Sequence, residues 1–477
     1  MPEGCILSLA MTYAARVILL LLISTAALAQ TATDPFPAPI PPNDGVIQVG
    51  IREFASLPDI DGGAARMMQL LNEPGTKRLF VNDQRGPIYT VSYDGRDVKL
   101  YVNVNDPQFG HPVQSMGRER GVQHIAFHPQ FGQAGTPGAG KFYTWGDTSN
   151  QMPAPDFTFP GDGMSTHHNI LLEWTAKTPG AAAYDGGAPK ELFRFRDPFQ
   201  NHNGGFLAFN PLAREGAPDF GMLYVGIADG GSGGDPLNMA QDMSRGFGKI
   251  FRINPLGGSS RNKKYGIPAD NPFITQPGAL PEIWAVGVRN PQRAAWDPRS
   301  GNLFISDIGQ NIVEEISMVT RGANLGWNAW EGSYGFVSRE AVSLERPRSD
   351  PKMTYPIIEW GQLDPLLQSQ SAAGGLVVYR GNEIPQIANM ILFSDMPAGE
   401  MFYVNADKLP SGGQANVRRV LFNHGGAAKT FLQIIQEKNK AQGKMPSTRA
   451  DLRISLGQDN QIYLMNKGDG TIRVLTK

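Results

Sequence analysis

A mature chain without cysteine rules out several chemistries at once. The one cysteine, Cys5, lies in or before an N-terminal segment that reads as a secretory signal. Disulfides, cysteine-bound zinc, iron–sulfur clusters and covalently attached c-type haem are therefore excluded. Charge of one sign is also lacking: Lys and Arg number 43 against 44 Asp and Glu, dispersed along the chain. That balance argues against nucleic acid as a partner. Long hydrophobic runs are missing too, apart from Val17 to Ala29, which is shorter than the roughly 20 apolar residues a membrane span needs. Histidine is scarce (His111, His124, His128, His167, His168, His202 and His424), and none forms an H-E-x-x-H motif. A zinc site built on histidines is not expected.

The short apolar run follows Arg16 and ends in Ala27-Leu28-Ala29. A positive start, an apolar centre and small residues before the cut predict cleavage after Ala29, and hence a periplasmic or secreted protein. Residues 30–45 are proline-rich and read as an extended linker, leaving 46–477 as the folded domain.

Glycine (56) and proline (37) are plentiful and mark many tight turns. Between them one pattern recurs: a short apolar strand, a polar end, a Gly- or Asp-bearing turn and a returning strand. Six examples begin near Arg78, Lys141, Met222, Asn302, Met390 and Gln461. Runs such as Leu223-Tyr-Val-Gly and Leu303-Phe-Ile-Ser are apolar at consecutive positions, so both faces are buried. A lone hairpin is marginal, whereas units arranged radially bury one another. The expectation is an all-β, six-bladed β-propeller, its ring closed by the strand-like segment after Gly45 pairing with the last blade. A two-sheet sandwich explains the recurrence less well. One helix is expected, near 427–441, with Phe431, Ile434 and Ile435 on one face.

Loops on one rim of such a ring are where chemistry collects. His202 stands directly before the strand Phe206-Leu-Ala-Phe, and Asp229 directly after Leu223-Tyr-Val-Gly-Ile-Ala. If these strands pair antiparallel, the two side chains share one end. The carboxylate then holds the imidazole in one tautomer and raises its basicity; otherwise His202 caps a turn. Gly230-Gly-Ser-Gly-Gly234 matches G-x-S-x-G, but no helical pattern follows, so it reads as a turn and not a nucleophile elbow. Asp307 to Glu315 offers carboxylates and turn carbonyls that suit Ca²⁺, or else forms a solvated turn. Arg289, after Ile283-Trp-Ala-Val-Gly, either clamps an anion or pairs with a carboxylate.

Taken in order, Glu119–Phe131, Asn201–Gly205, Leu223–Pro236, Gly248–Pro255, Glu282–Arg293, Gly301–Ile316 and Gly322–Trp327 resemble the soluble quinoprotein glucose/sorbosone dehydrogenase family, which includes aldose sugar dehydrogenases. The resemblance implies a six-bladed propeller holding pyrroloquinoline quinone over Ca²⁺. It implies a sugar substrate oxidised to its lactone, with electrons leaving to a further acceptor. His202 would be the base and Asp229 its orienting partner. Arg289 and Asn290 would contact the cofactor, and the carbonyls of Gly309 and Gln310 with the Glu315 side chain would hold calcium. The chain departs from the family in four places. Met396-Pro-Ala-Gly399 stands where a lysine is common, and Arg449 and Arg453 are spaced differently from the usual arginine pair. Asn201 replaces an Asp, and Glu119 a cofactor-contacting Gln. Two other functions stay open: a propeller that binds carbohydrate or protein without turnover, as hedgehog-interacting proteins of the wider superfamily are thought to do, and a calcium-dependent lactonase.

Overall fold

The consecutive apolar runs become strands buried on both faces, each the second strand of a four-stranded antiparallel unit. The computed structural model describes residues 34–158, 165–367 and 370–477. The expected signal, 1–29, lies outside them. The first unit joins Met67–Asn72, Arg78–Asp83, Pro87–Ser92 and Val98–Asn103. The second joins His124–Phe127, Lys141–Thr148, His167–Thr175 and Lys190–Asp197. The third is Leu207–Phe209, Leu223–Ile227, Lys249–Ile253 and Ile283–Val286. The fourth is Pro291–Trp296, Leu303–Asp307, Val313–Val319 and Ile358–Gly361.

Trp330–Glu331, Tyr334–Ser338 and Ala341–Ser343 form a small three-stranded sheet, and the remaining strands one larger sheet. Ala373–Tyr379, Met390–Asp395, Glu400–Asn405 and Arg418–His424 make its first part, and Arg453–Leu456, Ile462–Met465 and Thr471–Thr476 its second. Ile47–Ser56 bridges them, antiparallel to Thr471–Thr476 as expected but also parallel to Arg418–His424. The chain is thus all-β. Successive units touch through their first strands, except that Pro291–Trp296 meets Leu223–Ile227, around a circuit that returns from Arg453–Leu456 to Met67–Asn72. Trp145, Trp174 and Trp360 are fully buried between the strands.

Two expectations change. The helix runs over Phe431–Ala441 only, because Thr430 caps it reciprocally with Gln433, and Ala427–Lys429 instead extends the sheet beside Phe422–His424. It buries Phe431, Ile434 and Ile435, with Leu432. The described part of the expected linker is docked and not free. Ile40 is fully buried, its N–H donates to Asp364 Oδ2 at 2.7 Å, and Gln414 Nε2 donates to the Ala38 carbonyl at 2.7 Å. Proline content signalled an extended path but not the two apolar side chains, Phe36 and Ile40, that anchor it. Ile40→Ala is expected to cost about 2–5 kcal/mol, the range for emptying a buried aliphatic site. Chemical denaturation measures it; a loss well under about 1 kcal/mol would mean the segment is peripheral. No helix among the described residues is long and apolar enough to cross a membrane.

Candidate active site

The third unit sets up the site through register. Leu207 pairs with Val225 and Phe209 with Leu223, so the residue preceding one strand and the residue following the other meet at one end. There His202 Nδ1 lies 2.6 Å from Asp229 Oδ1. Asp229 is further held by the Gly231 N–H at 2.9 Å on Oδ1 and by Trp327 Nε1–H at 2.9 Å on Oδ2. On its other side His202 Nε2 faces Arg289, whose Nη2 donates to it at 2.9 Å. A carboxylate acceptor at Nδ1 and a guanidinium donor at Nε2 assign one tautomer: the proton sits on Nδ1 and the lone pair on Nε2. His202 has φ 61°, a left-handed conformation unusual for a residue with a side chain. The Glu119 carboxylate holds it by accepting the His202 N–H at 2.6 Å. Burial acts to raise the Asp229 carboxyl, but His202, Arg289 and the Gly231 N–H together outweigh it and keep Asp229 below the ordinary carboxylate range.

His202 opens onto a pocket of about 300 Å³ whose wall is strongly basic. Arg118, Arg289, Arg449, Arg453 and Lys467 line it against Glu119 and Asp451. Arg289 Nε and Arg453 Nε are buried without a hydrogen-bond partner. Burial first, and then Arg449, bring the Arg453 guanidinium down to about 10 although Asp451 opposes them. Lys467 is likewise pushed well below its usual range, by burial and then by Arg453. Crowded cations with orphaned donors suit a flat ligand carrying several negative charges. A tricarboxylate quinone therefore fits this wall.

The predicted residues divide. His202, Asp229, Arg289, Asn290, Glu119, Arg449 and Arg453 come together at or directly behind the pocket. Arg449 is shared with Asp451, to which its Nε and Nη2 donate at 2.9 and 2.7 Å. Asn201 does not reach the pocket wall: its amide exchanges two hydrogen bonds with the Ser232 backbone and pins the glycine-rich turn 230–234. That turn leads into no helix. Gly309 and Gln310 line the pocket, but Glu315 does not. It stands opposite Asp307 in the strand register, with its oxygens accepting from Gly332 N–H at 3.1 Å and Ser317 Oγ at 3.4 Å. Burial, then Asp307 and Glu359, push its carboxyl well up. The side chain expected as a calcium ligand at Glu315 thus does not reach the pocket wall. The sequence reading missed Arg118, Gln292 and Lys467. Lys467 sits in the turn of the last recurring hairpin, a position equivalent to those that drew notice in other units. Gly204 lets Gln292 and Asn290 approach, since a Cβ there would collide with both side chains.

A likeness to known proteins covers most of the fold. The glucose/sorbosone dehydrogenase family matches residues 66–427. The HIPL1 protein of Arabidopsis thaliana is 26% identical over 396 residues, 76% of this chain and 55% of that protein. Aldose sugar dehydrogenase YliI of Escherichia coli is 30% identical over 219 residues, 45% of this chain and 51% of that one. The chain thus spans about half the length of these curated relatives. The PQQ-bound aldose sugar dehydrogenase of Streptomyces coelicolor shares the fold with a TM-score of 0.56 at 19% identity, covering 92% of this chain and 99% of that chain. With the family match extending over most of the residues that build both the sheets and the His202 pocket, the chain belongs to the glucose/sorbosone dehydrogenase family.

Proposed function

We propose that this chain is a pyrroloquinoline-quinone-dependent dehydrogenase that oxidises an aldose at its anomeric carbon to the lactone. Exported through the signal in residues 1–29, it would work in the periplasm or outside the cell as a six-bladed propeller. The observation carrying this reading is a carboxylate-held imidazole, with its free Nε2 turned to a cationic pocket. Bound quinone would supply the two-electron sink for the sugar's C1 hydrogen and its bonding pair. His202 Nε2 takes the proton of the anomeric hydroxyl, and Asp229 stabilises the imidazolium that forms. Arg289 must first give up its bond to Nε2; its orphaned Nε and the freed Nη2 would then serve a ligand oxygen. Arg453 and Lys467 hold carboxylate charge, with Lys467 taking the part of the lysine that Met396 lacks. Calcium would rest on the carbonyls of Gly309 and Gln310, without Glu315.

Titrating the purified apoprotein with quinone and Ca²⁺ tests this. A changed quinone spectrum and a raised melting temperature at micromolar quinone are expected; the absence of both would overturn the reading. Lys467→Met is expected to weaken quinone binding by about 10- to 100-fold, and Lys467→Arg to restore most of it, as for a charge-assisted contact. Unchanged affinity in Lys467→Met would remove the lysine from the cradle.

A second reading rests on Met396 and Pro397, an apolar stretch of wall where the family resemblance leads one to expect a cation. It is a propeller that binds carbohydrate without oxidising it. Stabilisation by sugar with no dye reduction, quinone and calcium being present, would favour it.

A further inference from the structure

Behind the His202 loop, on the second unit, three strands bring Asp147, His167 and Asp197 together, all fully or almost fully buried. The nearest atom of each lies within 4.8 Å of the others. His167 Nε2 stands 3.4 Å from Asp147 Oδ1 and 3.6 Å from Asp197 Oδ2. These separations exceed hydrogen-bond length, about 2.7–3.2 Å for nitrogen to oxygen. They match the edge of a tetrahedron with bonds of about 2.0 Å, which is roughly 3.3 Å.

Asn203 is fixed in orientation because its Nδ2 donates to the Gln200 carbonyl at 3.0 Å, so its Oδ1 accepts the His167 Nε2 proton. A cation entering between the two carboxylates would displace that proton and take the Nε2 lone pair. Both oxygens of Asp197 are buried with no hydrogen-bond partner at all. Uncompensated buried acceptors of this kind call for a cation.

We propose that Asp147, His167 and Asp197 bind a divalent first-row transition ion, with zinc or manganese as its chemical type. An imidazole donor favours such ions over calcium, which takes oxygen ligands. Negative charge is in surplus here: burial first, and then Asp147 and Asp229, push the Asp197 carboxyl well above its usual range, with Arg120 the opposing cation. A dication would neutralise both carboxylates. This site is separate from the quinone pocket, whose lining includes none of its three ligands.

The test uses the full mature chain, prepared without a histidine tag, stripped with EDTA, and titrated with Zn²⁺ and then Mn²⁺ alone. Metal analysis after gel filtration is expected to return one ion per chain, with a raised melting temperature. Asp197→Asn and His167→Gln are each expected to weaken binding at least a hundredfold. Lys467→Met, which alters the other site, leaves stoichiometry at one. Should the variants misfold, Co²⁺ added to the wild-type chain still decides, because a mixed nitrogen and oxygen site gives a visible ligand-field spectrum that Zn²⁺ abolishes. The proposal is overturned if stripped wild-type protein takes up no ion. It is equally overturned if Asp197→Asn binds as tightly as wild type, or if Co²⁺ shows only its aqueous spectrum. A proton held by His167 would then account for the cluster.

Discussion

His202→Gln is expected to lower kcat for aldose oxidation by about 10²–10⁴-fold, the usual worth of a general base. Glutamine is chosen because its amide can still donate toward Asp229 and accept from Arg289, so the loop need not collapse. What it cannot do near neutral pH is accept a proton. Quinone affinity, read from the absorbance titration, should move by only a few-fold, since the cations that line the pocket remain. Rate measured in a single turnover after mixing sugar with quinone-loaded protein separates this loss from slow reoxidation. A rate within tenfold of wild type would place the base elsewhere.

This expectation could be formed before any coordinates because it depends on strand register alone. A residue just before one antiparallel strand and a residue just after its partner share an end, and the pairing of Leu207 with Val225 supplies that geometry. The recurring hairpins were legible for the same reason, since apolar runs and turn residues are local signals. What the sequence hid is non-local. Asp147, His167 and Asp197 come from three strands with long connections, so no spacing rule links them. Lys467 gains meaning only when the last unit swings its turn beside Arg453. Glu315 stands in the strand after the Gly309 turn, and only the folded chain shows its oxygens taken up by Gly332 N–H and Ser317 Oγ. Asn201 lies beside the base in sequence, yet its amide is used up on the Ser232 backbone.

Asp229→Asn is expected to cut kcat by about 10³–10⁴-fold while leaving the imidazole in place, an effect with precedent in the handling of a triad aspartate. The reason is a clash of donors. Asp229 accepts from three N–H groups: His202 Nδ1, Gly231 N and Trp327 Nε1. An asparagine has one acceptor oxygen, and whichever way its amide turns, an NH₂ faces at least one of those N–H donors. Turned toward His202, it drives the ring proton from Nδ1 to Nε2, so the atom facing the sugar can no longer take a proton. Turned toward Trp327, it leaves a buried donor unmet, at about 1–3 kcal/mol. The two outcomes separate by pH. Since Asp229 is held below the ordinary carboxylate range, its stabilising contribution is complete above about pH 4, the unfolded value, and is lost as pH falls through the lower folded one. The melting temperature of Asp229→Asn should therefore trail wild type at neutral pH, with the gap narrowing in acid. If kcat survives while only that gap appears, Asp229 is a structural anchor for the 230–234 turn, and the base at His202 works without it.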